Sequence, residues 1–208
     1  MYEYPSIPGS SKAPHKPCLA FIKYDGSNLR GEFTPKRGFH KFGTRDRRFD
    51  ESDKEFGPAI PIFMNTLAEP LGEIFKRSKQ YRNFQRITVF FEYFGPKSIV
   101  GVHSNNLPSD EMKCILFDVA LDKFGLIGPR DFLNDFCHLP NTAECVYQGN
   151  LNQSLIESVK NGEFDVNEGV VCKGGSGGDD WWACKIKTNA YLEKIKNLYT
   201  TGWEKFWE

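Results

Sequence analysis

Short apolar runs separated by glycine, proline and charged residues are the main pattern along the chain. Their content of valine, isoleucine and aromatic residues predicts β-strands. Strands are predicted near residues 18–22, 29–34, 40–43, 87–95, 113–121, 144–147, 168–173 and 181–188. We expect 29–34 to be the hairpin partner of the first strand, and 181–188 to pair with 168–173. The chain is therefore expected to begin as a β-meander.

Apolar residues at helical spacing predict helices between the strands. They fall at 58–78, as one or two helices separated near Pro70, at 129–139, at 152–162, and from residue 189 onwards. The last helix has one apolar face made of Tyr191, Ile195, Leu198 and Tyr199, continued by Trp203, Phe206 and Trp207.

Together these elements predict an α+β domain that is rich in antiparallel sheet, with flanking helices. A chain of 208 residues can bury a substantial core without disulfides or metals. Residues 1–17 are proline-rich and are expected to form an extended arm, residues 18–188 the main domain, and residues 189–208 a C-terminal helix.

The charges balance, with 27 basic and 27 acidic residues, so no overall field attracts nucleic acid. Basic residues are nevertheless clustered in 36–48, where Asp46 is the single acid, and again in 76–86. These clusters are either solvated faces or local contacts for a polyanion. The six cysteines form no Cys-x-x-Cys pair, and no leader or transmembrane run is visible, so a cytoplasmic, reducing compartment is expected.

The first apolar run ends in Lys23-Tyr24-Asp25-Gly26-Ser27-Asn28. Side chains alternate along a strand, so Lys23 and Asp25 project to the same side, and Gly26 allows a turn or the close approach of a ligand. A buried amine has a lowered pKa and can serve as a nucleophile. The other interpretation is an ion pair at a strand end followed by a turn, because short motifs also recur by accident.

Other ionisable residues also lie in or beside apolar, strand-forming segments: Arg45, Glu92, Glu168, Lys173, Lys185 and Lys187. Each one alone could be a charge at the rim of a sheet. Taken together, a lysine nucleophile, further cations for phosphates, and carboxylates for a divalent metal and a sugar hydroxyl indicate nucleotidyl transfer.

Four stretches in this order resemble the motifs of the covalent lysyl-nucleotidyltransferase superfamily of ligases and capping enzymes, whose domain is ATP-grasp-like. They are Lys23-x-Asp25-Gly26, 91–95, 168–173 and Lys185-x-Lys187. The Gly-Ser-Asn sequence that ends at Asn28 resembles the RNA ligases of the T4 RNA ligase 2 type. Residues 41–45 and 115–119 also resemble segments of that group, though less closely.

The resemblance implies an ATP-dependent RNA ligase that forms a lysyl-AMP and joins an RNA 5′-phosphate to a 3′-hydroxyl. It implies that Lys23 is the nucleophile, that Glu92 binds the ribose, and that Phe117 stacks on adenine. Glu168 and Asp25 would hold magnesium, with manganese as a substitute. The phosphates would be neutralised by Lys185 and Lys187, and the later phosphate and strand steps would use Asp25, Asn28 and Arg45.

Few residues follow Lys187, so we expect no separate oligonucleotide-binding-fold domain after it. A protein partner could then supply contacts to the RNA, and no membrane partner is expected. Two alternatives remain open: a minimal ATP-dependent DNA ligase, and a module that binds nucleotides or RNA ends without turnover.

Overall fold

A computed structural model describes residues 1–95 and 111–199. The strands are β1 Pro17–Lys23, β2 Ser27–Thr34, β3 Gly38–Gly43, β4 Arg48–Phe49, β5 Ile87–Phe94, β6 Lys113–Leu121, β7 Gly125–Leu126, β8 Cys145–Asn150, β9 Gly169–Gly174 and β10 Trp182–Lys187. The helices are α1 Ala59–Phe63, α2 Glu69–Arg77, α3 Pro129–Phe136, α4 Gln153–Lys160 and α5 Asn189–Leu198. Strands dominate, as the apolar pattern predicts.

The strands form two antiparallel sheets. One has the order β10-β9-β1-β8 and the other β4-β3-β2-β5-β6-β7. The predicted pairing of β9 with β10 is confirmed. The prediction that β2 is the hairpin partner of β1 is wrong, because β1 pairs with β8 and β9 whereas β2 pairs with β3 and β5.

The chain crosses from one sheet to the other at residues 24–26, directly after Lys23. A Cβ at Gly26 would lie only 2.5 Å from the carbonyl oxygen of Tyr93, so the crossing lies against β5 and needs glycine there. This packing turns β2 into the second sheet. It also places the Lys23 motif at the junction of the two sheets.

Side chains of β1 alternate between the two faces of the four-stranded sheet and pack into a different apolar cluster on each face. Leu19 and Phe21 belong to the large core cluster, which also includes residues of the six-stranded sheet and of α1, α2 and α3. Cys18 and Ala20 point the other way, into a smaller cluster that includes residues of α4. Lys23 follows Leu19 and Phe21 at a spacing of two, so its side chain lies on the same side as theirs.

The helical region predicted at 58–78 is observed as α1 and α2, joined by the π-helical turn Met64–Ala68. Pro70 lies in the first turn of α2, where its missing N–H is tolerated. The boundary between the two helices is therefore the π-helical turn before α2, and Pro70 itself does not separate them, contrary to the prediction. Trp203, Phe206 and Trp207 lie outside the described residues. Across residues 1–95 and 111–199, no helix combines the length and apolar character needed to cross a bilayer.

Candidate active site

A cavity of about 320 Å³ lies where the Lys23 motif crosses between the sheets. Its volume is within the range of small-molecule sites. It is lined by Tyr4, Ser6, Ile7, Phe21, Ile22, Lys23, Tyr24, Gly26, Asn28, Arg45, Glu92, Phe117, Val171, Lys173 and Lys185. The cavity therefore brings together six of the predicted site residues: Lys23, Asn28, Arg45, Glu92, Phe117 and Lys185.

Glu168 lies between two of the predicted lysines because of strand register. Both Lys23 on β1 and Lys187 on β10 are opposite Gly169, the first residue of the strand between them. The carboxylate of Glu168 is 2.9 Å from Lys23 Nζ and 3.3 Å from Lys187 Nζ. Two lysines distant in sequence thus share one buried carboxylate.

Gly169 makes this convergence possible. Its φ is 151°, in a region that L side chains rarely adopt, and a Cβ there would lie 2.0 Å from the carbonyl oxygen of Ile186. The Glu-Gly dipeptide at 168–169 therefore combines a charged group with a close approach of β10.

The charge state of Lys23 differs from the prediction of a lowered pKa. Burial lowers the pKa of Lys23, but the carboxylates of Glu168, Glu92 and Asp25 together raise it above its ordinary value. The amine is accordingly held as an ammonium in this structure. Its deprotonation requires a change in the surrounding charge, such as the arrival of a cation beside the carboxylates.

Glu92 lies on β5 opposite Asn28 and accepts a hydrogen bond of 3.2 Å from the backbone N–H of Gly26. Burial raises the pKa of Glu92 and Glu168 raises it further, whereas Lys23 and the Gly26 N–H lower it. The resulting pKa is about 8. A carboxyl that is protonated near neutral pH can both donate and accept a hydrogen bond, which suits a sugar hydroxyl.

Replacing Glu92 by glutamine is expected to change how stability depends on pH. The folded pKa of about 8 lies above the ordinary glutamate value of 4.5, so between these values the native state binds more protons than the unfolded state. The wild type should therefore lose stability as pH rises from about 4.5 to about 8, by at most about 1.4 kcal/mol per pH unit from this group. Glu92→Gln should not show this component. Urea unfolding at several pH values measures it, and parallel pH curves for the two proteins would contradict it.

Phe117 enters the cavity because β6 contains a bulge. Phe90 is opposite Asp118 and Phe91 is opposite Leu116, so Phe117 is an extra residue in β6. A bulge redirects a side chain from the regular alternation. The ring of Phe117 therefore lines the cavity next to that of Tyr4, whose centroid is 5.2 Å away, and this part of the lining is here called the aromatic end.

A buried ion pair lies beside this aromatic end. Lys173 Nζ donates to Asp118 Oδ2 at 2.7 Å and to the carbonyl oxygen of Phe117 at 2.6 Å. Burial lowers the pKa of Lys173 and raises that of Asp118, although their mutual attraction opposes both shifts. Tyr4 also donates its hydroxyl to Asp118. The aromatic end is thus fixed by polar contacts behind it.

Asp25 and Arg45 occupy the edges of the site. Asp25 Oδ1 accepts a 3.0 Å hydrogen bond from the hydroxyl of Tyr191 on α5, and its charge acts on Lys23. Arg45 lines the cavity with its exposed side chain, and its carbonyl accepts a 3.2 Å hydrogen bond from Arg30. Within the described part of the chain, the cavity lining does not include Asp25, Glu168 or Lys187. Asp25 and Glu168 nevertheless act on the charge of Lys23, and Lys187 shares the carboxylate of Glu168 with it.

The sequence reasoning missed Tyr4, Ser6, Ile7 and Tyr191, and assigned Lys173 no role. Tyr191 was assigned only to an apolar helix face, yet Lys187 Nζ lies 5.2 Å from its ring centroid and its hydroxyl reaches Asp25. A tyrosine four places after a strand lysine has no distinctive local pattern. These residues reach the site through tertiary packing, which a linear motif does not record.

The donor set around Lys23 fits a hard divalent cation. Within residues 1–95 and 111–199, no group of three or more histidine, cysteine, aspartate or glutamate residues is arranged to hold a metal. Magnesium commonly uses only one or two carboxylates and completes its shell with water and substrate phosphates. Glu168 and Asp25, both close enough to influence Lys23 electrostatically, supply such carboxylates.

The same fold occurs in solved structures of the Naegleria gruberi RNA ligase. A variant with ATP and Mn matches with a TM-score of 0.63 at 18% identity, over 95% of this chain and 59% of that chain. Another variant, with AMP and Mn, gives 0.63 at 19% identity, over 93% and 58%. The ligase with PPi gives 0.62 at 17% identity, over 88% and 53%.

The chain has the fold of an RNA ligase nucleotidyltransferase domain. The predicted α+β, antiparallel-sheet-rich fold class is thereby confirmed. At this level of identity the likeness establishes the fold alone, and the chain spans between half and three fifths of the chains that it matches. No protein-family model matches the sequence, and no curated protein matches it.

Proposed function

We propose that this chain is the adenylylating part of an ATP-dependent RNA ligase, with Lys23 as the nucleophile. The observation that carries the proposal is the position of Lys23, which lines a cavity of about 320 Å³ and is paired with Glu168, which also contacts Lys187. A structural ion pair alone would not need a cavity that also contains Glu92, Phe117 and Lys185. The RNA ligase structures with this fold, some with ATP or AMP, support ATP as the substrate.

In the first step, Lys23 Nζ forms a bond to the α-phosphorus of ATP. Before the attack the ammonium of Lys23 loses one proton to solvent. As the new bond forms, the bond from that phosphorus to the bridging oxygen breaks and pyrophosphate leaves, and the nitrogen then loses a second proton to solvent. The negative charge that develops on the phosphates is stabilised by Lys185 and Lys187, which lie two residues apart on one side of β10. The product is a lysyl-AMP.

The nucleotide is held at two points away from the phosphates. Phe117 offers its ring to the adenine, and Glu92 hydrogen-bonds the ribose. With these contacts fixed by strands of the six-stranded sheet, the α-phosphate is presented to Lys23 on the four-stranded sheet. Positioning of this kind converts the attack into an effectively unimolecular step.

Glu168 and Asp25 would hold magnesium or manganese. The cation would supply positive charge at the phosphates and beside Lys23, which favours the neutral amine. In this proposal the two carboxylates keep the cation close to the amine, and Tyr191 keeps Asp25 oriented by its hydrogen bond.

In the second step an RNA 5′-phosphate displaces Lys23 from AMP, and in the third a 3′-hydroxyl attacks that phosphate and releases AMP. We assign Asn28 and Arg45 to these steps, because both line the cavity and Arg45 is also exposed. We place the adenylylating domain at residues 18–188. Because the matched ligase chains are longer, we propose that further residues or a partner protein complete the contacts to RNA.

Incubation with ATP labelled at the α-phosphate should leave an acid-labile label on the wild-type chain in the presence of magnesium. Labelled GTP should give none, and addition of EDTA should prevent labelling from ATP. Denaturing electrophoresis measures this, after prebound AMP has been removed with pyrophosphate. Absence of label would favour a binding module without turnover, and transfer of AMP to nicked DNA in preference to RNA ends would favour a DNA ligase.

A further inference from the structure

The N-terminal arm contributes one side of the cavity. Residues 4–9, here called the arm segment, contact both sheets. At one end Tyr4 packs on residues of the six-stranded sheet, and at the other the carbonyl oxygen of Pro8 accepts a 2.9 Å hydrogen bond from the backbone N–H of Lys185. Gly9 forms a parallel bridge with Lys185, at the outer edge of the four-stranded sheet.

Tyr4 is held at the aromatic end of the cavity. Its side chain is buried, its ring meets that of Phe117 edge-on at 5.2 Å and 84°, and it also contacts Phe90 at 4.9 Å. Its hydroxyl donates to Asp118, the residue after Phe117. Tyr4 therefore restrains Phe117 in two ways, through ring contact and through the next residue of the bulge.

Ser6 and Ile7 lie between these two ends and line the cavity themselves. Ile7 also packs against the small apolar cluster that contains Tyr4. The arm segment thus extends along the cavity from Phe117, assigned above to the base, to Lys185, assigned to the phosphates.

We propose that the arm segment is a functional wall of the nucleotide site and that Tyr4 is a positioning residue for the nucleotide base. This inference rests on the proposed function, because Phe117 has a base to hold only if the cavity binds a nucleotide. Tyr4 keeps the Phe117 ring aligned, and Asp118 and Lys173 keep Tyr4 in place. The arm is therefore a part of the site, and an ordinary surface tail would not line the cavity.

The test is equilibrium binding of α,β-methylene-ATP with magnesium, whose α–β bridge cannot be cleaved, so binding is read without turnover. Tyr4→Phe keeps the ring and removes the hydrogen bond to Asp118. It should weaken binding about tenfold, because the ring of Phe117 would then be ordered only when the nucleotide binds, and ordering a side chain on binding costs affinity. Binding of inorganic tripolyphosphate should stay unchanged, because Tyr4 acts at the base end. A purely structural role would weaken both ligands or neither.

Tyr81→Phe is the matched control, because Tyr81 is also buried and donates its hydroxyl to a carboxylate, that of Asp135, among core residues outside the cavity. It should bind both ligands as the wild type does. If Tyr4→Phe does not fold, Ile7→Ala provides a second variant of the wall. It is expected to weaken binding of the nucleotide and to leave binding of tripolyphosphate unchanged.

The inference would be overturned if Tyr4→Phe bound the nucleotide as tightly as the wild type does. The same result for Ile7→Ala would overturn it if Tyr4→Phe does not fold. Neither result would affect the proposed function. A wild-type chain that binds neither ligand would instead overturn the proposed function. Equal weakening of nucleotide and tripolyphosphate would assign Tyr4 to stability alone and also overturn the inference.

Discussion

Lys23→Ala is expected to lose all labelling from ATP while remaining folded. The substitution removes the nitrogen that forms the bond to phosphorus, and no neighbouring lysine can replace it at the same position. Stability should change little, because Glu168 keeps its contact with Lys187 at 3.3 Å and no buried charge is left without a partner. The side chain of Lys23 is also 26% exposed, so its removal leaves no large cavity.

Lys113→Ala is the control for this experiment, since Lys113 is an exposed lysine at the beginning of β6 in the other sheet. It should be labelled as the wild type is. Both variants should unfold within about 1 kcal/mol of the wild type in urea. Undiminished label on Lys23→Ala would move the nucleophile to another residue and remove the basis of the proposed mechanism.

Glu168→Gln is expected to reduce labelling by about 10²- to 10³-fold, the range found when one preorganised electrostatic contact is removed from an active site. Glu168 is 2% exposed and contacts Lys23 and Lys187 at once, so the substitution leaves two ammonium groups next to a neutral amide. It also removes a proposed metal carboxylate. Loss of stability should accompany the loss of activity, by about 3–5 kcal/mol for a broken buried pair.

The pH dependence of the residual reaction separates these effects. Glu168 is the largest of the charges that raise the pKa of Lys23, so its replacement by glutamine should lower that pKa when magnesium is supplied at a concentration that saturates both proteins. The neutral amine then becomes available at a lower pH, and the residual labelling rate should reach its plateau at a lower pH than in the wild type. Quenching the labelling reaction at successive times and counting the label on the protein measures the rate at each pH.

Glu32→Gln serves as the matched control for Glu168→Gln. Glu32 is likewise buried, at 1% exposure, and its carboxylate lies 2.6 Å from Lys41 Nζ. Its substitution should lower stability without shifting the pH profile of labelling. If the labelling rate depended on pH in the same way in both glutamate variants, the effect of Glu168 on the pKa of Lys23 would not contribute to catalysis.

Much of the fold follows from short-range pattern. Apolar, β-branched runs predict most of the strands, because such side chains pack on a pleated surface whatever strand lies beside them. Alternation also places Lys185 and Lys187 on the same side of a strand, and β10 pairs with β9 without a register shift at these residues. Alternation does not, however, identify the partner of β2, because side chains alternate with a period of two in either sheet. The packing of Gly26 against Tyr93 directs the chain into the six-stranded sheet.

The candidate site divides in the same way. The sequence by itself determined a strand-end lysine beside a carboxylate and the order of charged strand segments that resembles the ligase motifs. Only the tertiary structure decided that Glu168 lies between Lys23 and Lys187, that the pKa of Lys23 is raised, and that Tyr4 and Tyr191 reach the site. The physical reason is that pKa values and hydrogen bonds depend on distances between segments more than a hundred residues apart, such as the 2.9 Å contact of Lys23 with Glu168, and no local pattern encodes those distances.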